Sequence, residues 1–214
     1  MKRPLLVGIA GGTSAGKSTF AERIALRIGE RDAVVIAEAS YYHDRDRCPT
    51  GPSGRVNFDH PDSIDYDLME RHLLDLIAGR PVPRFVYHRD SCRREVTTER
   101  IEPRRVILVE GILIFAEKVI RELFDVKIFI DADSDLRFIR RLERDIEEKG
   151  SDFEEVRHRY LEEVKPMHLR FIEPSKRWAD IIVPWGGRNE AAVQIVVGRI
   201  LSELREGDSE NEGG

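Results

Sequence analysis

Five short apolar runs punctuate the chain: Leu5-Leu6-Val7-Gly8-Ile9-Ala10, Val34-Val35-Ile36, Val106-Ile107-Leu108-Val109, Val126-Lys127-Ile128-Phe129-Ile130 and Ile181-Ile182-Val183. Each reads as a strand buried on both faces, and the material between them is long enough to cross over as helix. The pattern predicts an α/β fold, a five-stranded parallel sheet flanked by helices in three layers. After the first run, Phe20, Ile24 and Ile28 recur at helical spacing with Ala21 and Ala25 beside them, until Gly29 supplies a stop. Two regions fall outside the sheet. In the first, Asp65 is placed to cap a helix carrying Leu68, Leu73, Leu74 and Ile77 and ended by Gly79, and Val82 to Ile101 alternates as a β-hairpin insertion over about 81–102. In the second, about 133–178, Leu136, Ile139, Leu142 and Ile146 form an apolar stripe while Arg137, Arg140, Arg141 and Arg144 crowd the other faces, the pattern of a basic helical lid.

Composition narrows this picture. With 214 residues and 41% hydrophobic content the chain is sized for one well-buried domain, expected over 1–206, and the polar residues 207–214 read as a disordered tail. The 35 basic and 40 acidic residues are spread throughout and leave a net charge of −5, so nothing global favours nucleic acid; a small-molecule partner is expected. Cys48 and Cys92 have neither metal-ligand spacing nor a disulfide framework, and no apolar run approaches a membrane span, so a cytoplasmic location is expected.

The chemistry begins where the first run ends. Gly11-Gly12-Thr13-Ser14-Ala15-Gly16-Lys17-Ser18, followed by Thr19, is a P-loop between strand and helix. Its backbone N–H groups turn toward phosphate, Lys17 reaches the β- and γ-phosphates, and the Ser18 hydroxyl suits Mg²⁺. The fold class sharpens to a P-loop NTPase that binds a nucleoside triphosphate. In such sheets ligands sit beyond the carboxyl ends of the strands, which gathers the P-loop, Glu38 to Tyr42, Glu110-Gly111 and Asp131 to Asp133 around one crevice. Glu110 closes a central run and suits a metal-holding carboxylate, although alone it also reads as a boundary residue. Asp131 and Asp133 are further candidates for the metal, with helix capping the competing role for Asp133. Arg137, Arg141 and Arg144 share one helical face, where a lid brings positive charge over a migrating phosphoryl group; a solvated charged face is the plainer alternative.

Several segments then carry a family resemblance: Gly8 to Ser18, Asn57-Phe58-Asp59-His60-Pro61-Asp62, Val109-Glu110-Gly111-Ile112-Leu113, Arg140-Arg141-Leu142-Glu143-Arg144-Asp145, Val164-Lys165-Pro166-Met167 and Phe171-Ile172-Glu173-Pro174-Ser175-Lys176. From Val7 to about Gly187 the chain resembles the uridine kinase (uridine-cytidine kinase) family. The resemblance implies transfer of a γ-phosphate to the 5′-hydroxyl of uridine or cytidine in pyrimidine salvage, in a homotetramer with Mg²⁺. It implies that Asp59 grips the ribose hydroxyls with Arg141 assisting, that Tyr87 packs near the nucleobase, that Arg144 and Lys149 close over the triphosphate, and that Ser18 and Glu110 hold the metal.

The chain also departs from that family. Ala39, in Glu38-Ala39-Ser40-Tyr41-Tyr42, stands where the family has the Asp that accepts the 5′-hydroxyl proton. Losing a general base lowers the rate by about 10² to 10⁴, so low turnover is expected. An introduced inactivating substitution, a natural loss of activity, or a displaced base such as Glu38 or Asp62 would each account for it. Cys92 replaces the polar group that reads the pyrimidine edge, Ser151 and Arg159 replace Arg and Gln near phosphates and base, and Trp185 replaces an Arg near the donor's purine. Two other readings stay open: a P-loop kinase of another hydroxyl acceptor, like phosphoribulokinase or pantothenate kinase, and a catalytically silent nucleotide-binding protein.

Overall fold

The computed structural model describes residues 3–147 and 150–212. Strands β1 (Leu5–Gly11), β2 (Ala33–Ala37), β5 (Val106–Glu110), β6 (Val126–Asp131) and β7 (Ile181–Pro184) form one parallel sheet in the order β2-β5-β1-β6-β7. Because side chains alternate across a strand, each apolar run feeds two interiors. Leu6, Ile107, Val109 and Phe129 face one core, shared with Met69, Leu73 and Leu76 of helix α2 (Tyr66–Ile77). Val7, Ile9, Leu108, Ile128 and Ile130 face the other, where helix α1 (Lys17–Ile28) brings Phe20 and Ile24 and the C-terminal helix Glu190–Glu212 brings Val193, Val196, Val197 and Ile200. This is the expected three-layer arrangement, with β1 central and the P-loop at its carboxyl end.

The Asp65 side chain caps α2 as its position predicted, accepting a hydrogen bond from the Leu68 N–H at 3.2 Å. Strands β3 (Val82–His88) and β4 (Arg93–Ile101) pair antiparallel as a separate hairpin. Phe85 anchors it, stacked on His72 of α2 at 5.4 Å between ring centroids and edge-on to Tyr41 at 6.3 Å. After a short helix α3 (Lys118–Arg121), the basic segment forms α4 (Ser134–Glu147) and α5 (Phe153–Arg159). Helical backbone continues from Tyr160 to Trp178 through alternating π, α and 3₁₀ turns. Pro166 and Pro174, lacking N–H donors, fall in this stretch and interrupt a regular ladder.

At the C-terminus the helix runs on through 207–212, where the composition had pointed to a disordered tail. Propagating a helix already nucleated by the buried valine stripe needs one further hydrogen bond per residue, which a polar sequence also makes. Residues 213 and 214 lie outside the described residues, as does Lys149. No helix among the described residues is long and apolar enough to cross a membrane.

Candidate active site

A cavity of about 670 Å³ opens at the carboxyl ends of β1, β2 and β5. The P-loop forms its floor. Ser14 and Gly16 adopt left-handed backbone (φ 56° and 94°), which turns the loop before α1 begins. Gly187 packs against this turn, its N–H donating to the Ala15 carbonyl at 3.1 Å, so closely that a Cβ on Gly187 would overlap the Gly16 carbonyl oxygen. Two backbones thus buttress each other under the phosphate cradle. Lys17 is buried and its Nζ donates to the Gly12 carbonyl at 3.0 Å. Burial lowers its pKa, against the opposing pull of Glu110, Glu38 and Asp59.

Beside the P-loop, the Ser18 hydroxyl donates to Glu110 Oε1 at 3.0 Å. Hydroxyl and carboxylate are hard oxygen donors at the foot of the phosphate cradle, and no cluster of three or more His, Cys, Asp or Glu competes for a metal among the described residues. That donor set fits Mg²⁺, which keeps waters and substrate phosphates and takes only one or two protein carboxyls.

Glu38 lies at the end of β2, in the first of the turns leading to Tyr41. It is 2% exposed, its Oε2 accepts from the Leu113 N–H at 3.0 Å, and its Oε1 is buried without a hydrogen-bond partner. Gly111 makes room for it, since a Cβ there would meet the carboxyl at 2.4 Å. Burial, with nearby Glu110 adding to it, pushes the Glu38 pKa up to about 8. Ala39 lines the same wall with a methyl group and no polar atom.

Opposite, Asp59 is buried on the cavity wall, in a turn tied by its own N–H to Asn57 Oδ1 at 3.1 Å and by Ser63 Oγ to the Asn57 carbonyl at 2.6 Å. Arg141 of α4 reaches the P-loop, donating to Thr13 Oγ1 at 3.1 Å and pairing with Asp145 at 3.3 Å. Burial lowers its pKa while Asp59 and Asp145 hold the charge. Arg144 also lines the cavity and pairs with Asp145 at 3.0 Å.

The cavity therefore brings together Thr13, Ser14, Gly16, Lys17, Ser18, Thr19, Ala39, Asp59, Glu110, Arg141 and Arg144. Several other expected residues stand elsewhere. Arg137 turns away beneath the P-loop, donating to the Ala132 carbonyl at 3.0 Å and meeting His168 at 3.1 Å, where a Cβ on Gly12 would touch its guanidinium. Arg141 and Arg144, expected on the same face, do reach the wall, and Arg140 joins them there. Asp131 pairs with Lys176 at 2.6 Å instead of nearing the metal pair, because β6 lies on the far side of β1 from Glu110. Asp133 does not line the cavity either, and Asp62 is exposed beside His60.

Tyr87 packs behind the wall, its ring 5.2 Å from Tyr42 and 5.8 Å from Phe58, its hydroxyl donating to the His43 carbonyl at 3.1 Å. Cys92, at a left-handed turn, donates to the Arg89 carbonyl at 3.2 Å, and Arg159 donates to the Val56 carbonyl and pairs with Glu163 at 3.5 Å. None of these three lines the cavity. Trp185 is 79% exposed, whereas Arg188 just beyond it is on the wall. Tyr42 lines the cavity with the Glu38 to Tyr42 segment, as expected, but sequence reasoning missed Arg89, Arg188 and Phe58 as wall residues. A signal existed for Phe58, adjacent to Asp59 in the motif; none existed for Arg89, which the hairpin delivers from a distance.

Comparison with known proteins agrees with this fold. The sequence pattern described as the Phosphoribulokinase / Uridine kinase family matches residues 6–192. A uridine kinase of Chloroflexus aggregans is 49% identical over 202 residues, covering 94% of this chain and 97% of the relative. One from Clostridium tetani is 44% identical over 207 residues, covering 97% and 99%. Among solved structures, a putative fructose transport system kinase from Silicibacter sp. TM1040 superposes with a TM-score of 0.69 at 20% identity, over 86% of this chain and 91% of that one, a likeness of fold.

Proposed function

We propose, for a chain that belongs to the Phosphoribulokinase / Uridine kinase family and is a P-loop kinase, that the cavity transfers the γ-phosphate of ATP or GTP to the 5′-hydroxyl of uridine or cytidine. The observation that carries this reading is the meeting, in one cavity, of the Lys17 cradle and the Ser18–Glu110 pair with a buried carboxylate on the opposite wall, Asp59. The P-loop amides and Lys17 hold the triphosphate; Ser18 and Glu110 are the residues that would hold Mg²⁺, which supplies charge neutralisation at the bridging phosphates. Asp59 accepts from the ribose hydroxyls, with Arg141 beside it. As the 5′-oxygen bonds to the γ-phosphorus and the bond to the β–γ bridging oxygen breaks, negative charge shifts toward the leaving diphosphate. Lys17, Arg140, Arg144 and Arg188 surround that charge.

The 5′-hydroxyl proton has no acceptor at Ala39. Glu38, the adjacent carboxyl, is neutral near pH 7 because its pKa is raised to about 8, so this chain relies on positioning and charge, and its turnover is low. The test is nucleoside-dependent ADP release with uridine and with cytidine, for this chain and for Ala39→Asp. The substitution is expected to raise the rate by about 10² to 10⁴. Absence of nucleoside-dependent turnover in Ala39→Asp would overturn the reading.

A further inference from the structure

Gly12 occupies one of the variable positions of the P-loop motif, and its backbone is not left-handed. The turn itself does not demand a glycine there. Arg137 of α4 does: a Cβ on Gly12 would meet the guanidinium Nη1 at 2.5 Å, Cζ at 2.8 Å and Nε at 3.1 Å, so no side chain fits between loop and arginine. The same residue holds the lysine of the loop, because the Gly12 carbonyl accepts from Lys17 Nζ at 3.0 Å and from the Ala15 N–H at 3.2 Å. Gly12 thus joins Arg137 to Lys17.

The guanidinium is fixed at two further points. Its Nε donates to the Ala132 carbonyl at 3.0 Å, and its Nη2 lies 3.1 Å from His168 Nε2. A guanidinium only donates, so the ring nitrogen accepts. Burial first, and the Arg137 charge second, lower the His168 pKa to about 4, which leaves the ring neutral near pH 7 and its lone pair free for Arg137. The ring's own proton then stays on Nδ1, a buried atom with no hydrogen-bond partner. Glu173 Oε2 lies 3.3 Å from the same Nε2, and the other Glu173 oxygen pairs with Lys176 at 3.6 Å. Arg137 and His168 are both buried, and no carboxylate pairs with Arg137 among the described residues. An unpaired buried cation and an unsatisfied ring N–H each cost free energy, and apolar side chains would fill the same space without either cost. What an apolar side chain cannot do is span the Ala132 carbonyl, His168 and Gly12 at once, as the planar fork does.

We propose that Arg137 is a positioning residue for the donor triphosphate, setting Lys17 through Gly12, and that His168 holds the Arg137 fork in place. Neither side chain lines the cavity, so both act without touching the ligand. The inference rests on the reading that the triphosphate lies on the P-loop; it depends on neither the acceptor nor turnover, so Ala39 does not obscure it.

The experiment is calorimetric titration of a non-hydrolysable ATP analogue with Mg²⁺, or of the GTP analogue where that binds the parent more tightly, into the full chain and its variants. Arg137→Met is expected to weaken binding by about tenfold, as is Lys17→Ala. The double variant should bind within about twofold of Lys17→Ala alone, because a residue acting through Lys17 has nothing left to set. Arg137→Lys keeps the charge but not the fork, and should stay as weak as Arg137→Met. His168→Leu removes the acceptor and should weaken binding, whereas His168→Gln, whose amide oxygen accepts in the place of Nε2, should recover it. Losses that add in the double variant would show that Arg137 only stabilises the loop, and parent affinity in Arg137→Lys would assign its role to charge alone; either overturns the inference. So does parent affinity in His168→Leu, which together with Arg137→Lys carries the test if Arg137→Met does not fold. Binding of neither analogue by the parent would overturn the triphosphate reading and this inference with it.

Discussion

The two sides of the cavity are built by different means. The phosphate side is mostly backbone: the left-handed turn at Ser14 and Gly16, Gly187 pressed against it, and a lysine folded onto the loop's own carbonyl. The opposite side is made of side chains that converge from separate elements, Asp59 from a loop, Arg141 from α4 and Arg89 from a two-stranded hairpin outside the main sheet. A backbone cradle recognises what all nucleoside triphosphates share and admits little variation. A wall of side chains can change its ligand by one substitution without disturbing the sheet, and Ala39, the departure from the resembled pattern that bears most on catalysis, stands on that wall.

The largest effect comes from removing the lysine of the P-loop itself. Lys17→Ala is expected to lower turnover of the Ala39→Asp background by about 10² to 10³ while leaving nucleoside affinity nearly unchanged. Steady-state rates and equilibrium binding check it together, and a parallel loss of nucleoside binding would show that the halves are not separable.

Next in size is the backbone contact. Gly187→Ala places a methyl group where the Gly16 carbonyl already lies. Overpacking of this kind destabilises by about 1–3 kcal/mol, seen as a drop of several degrees in thermal midpoint. The same variant should bind the ATP analogue more weakly, since the displaced backbone is the cradle itself. An unchanged midpoint and affinity would mean the loop is less tightly buttressed than the packing indicates.

Where the halves meet, Glu38 carries a pH dependence. Its carboxyl would lose its proton near 4.5 when unfolded but holds it to about 8 when folded. Between those values the folded chain binds a proton that the unfolded chain has released, so stability falls as pH rises from about 4.5 to about 8. Glu38→Gln has no such titration. Without nucleotide or metal, its melting temperature should gain on the parent's progressively from pH 5 to pH 8, and a constant difference across that range would show that Glu38 ionises freely in its buried position.

The same contrast explains what could be read in advance. Strands β1, β5 and β6 were legible because a parallel sheet covered on both faces demands unbroken apolar runs, and the P-loop because phosphate recognition by backbone demands glycines at fixed spacing. Asp65 was legible as a cap because capping is a contact over three residues. The arginines of α4 were visible as a cluster with Arg141 and Arg144 inward, but not that Arg137 is spent on Ala132 and His168 or that Arg140 stands on the wall. The rotation of a helix about its axis is set by what packs behind it, and that packing comes from the segment 160–178.

By itself the sequence determined the sheet, the phosphate cradle, the Ser18 and Glu110 positions and the motif carrying Asp59, all of which depend on local pattern or on residues close in the chain. Only the tertiary structure decided that Asp131 pairs with Lys176, that Tyr87 and Cys92 stand behind the wall, and that Arg89 lines the cavity. The places of Tyr87, Cys92 and Arg89 depend on how a hairpin anchored by Phe85 settles on α2, and that of Asp131 on the chain returning at Lys176, contacts between segments distant in sequence that no local pattern encodes.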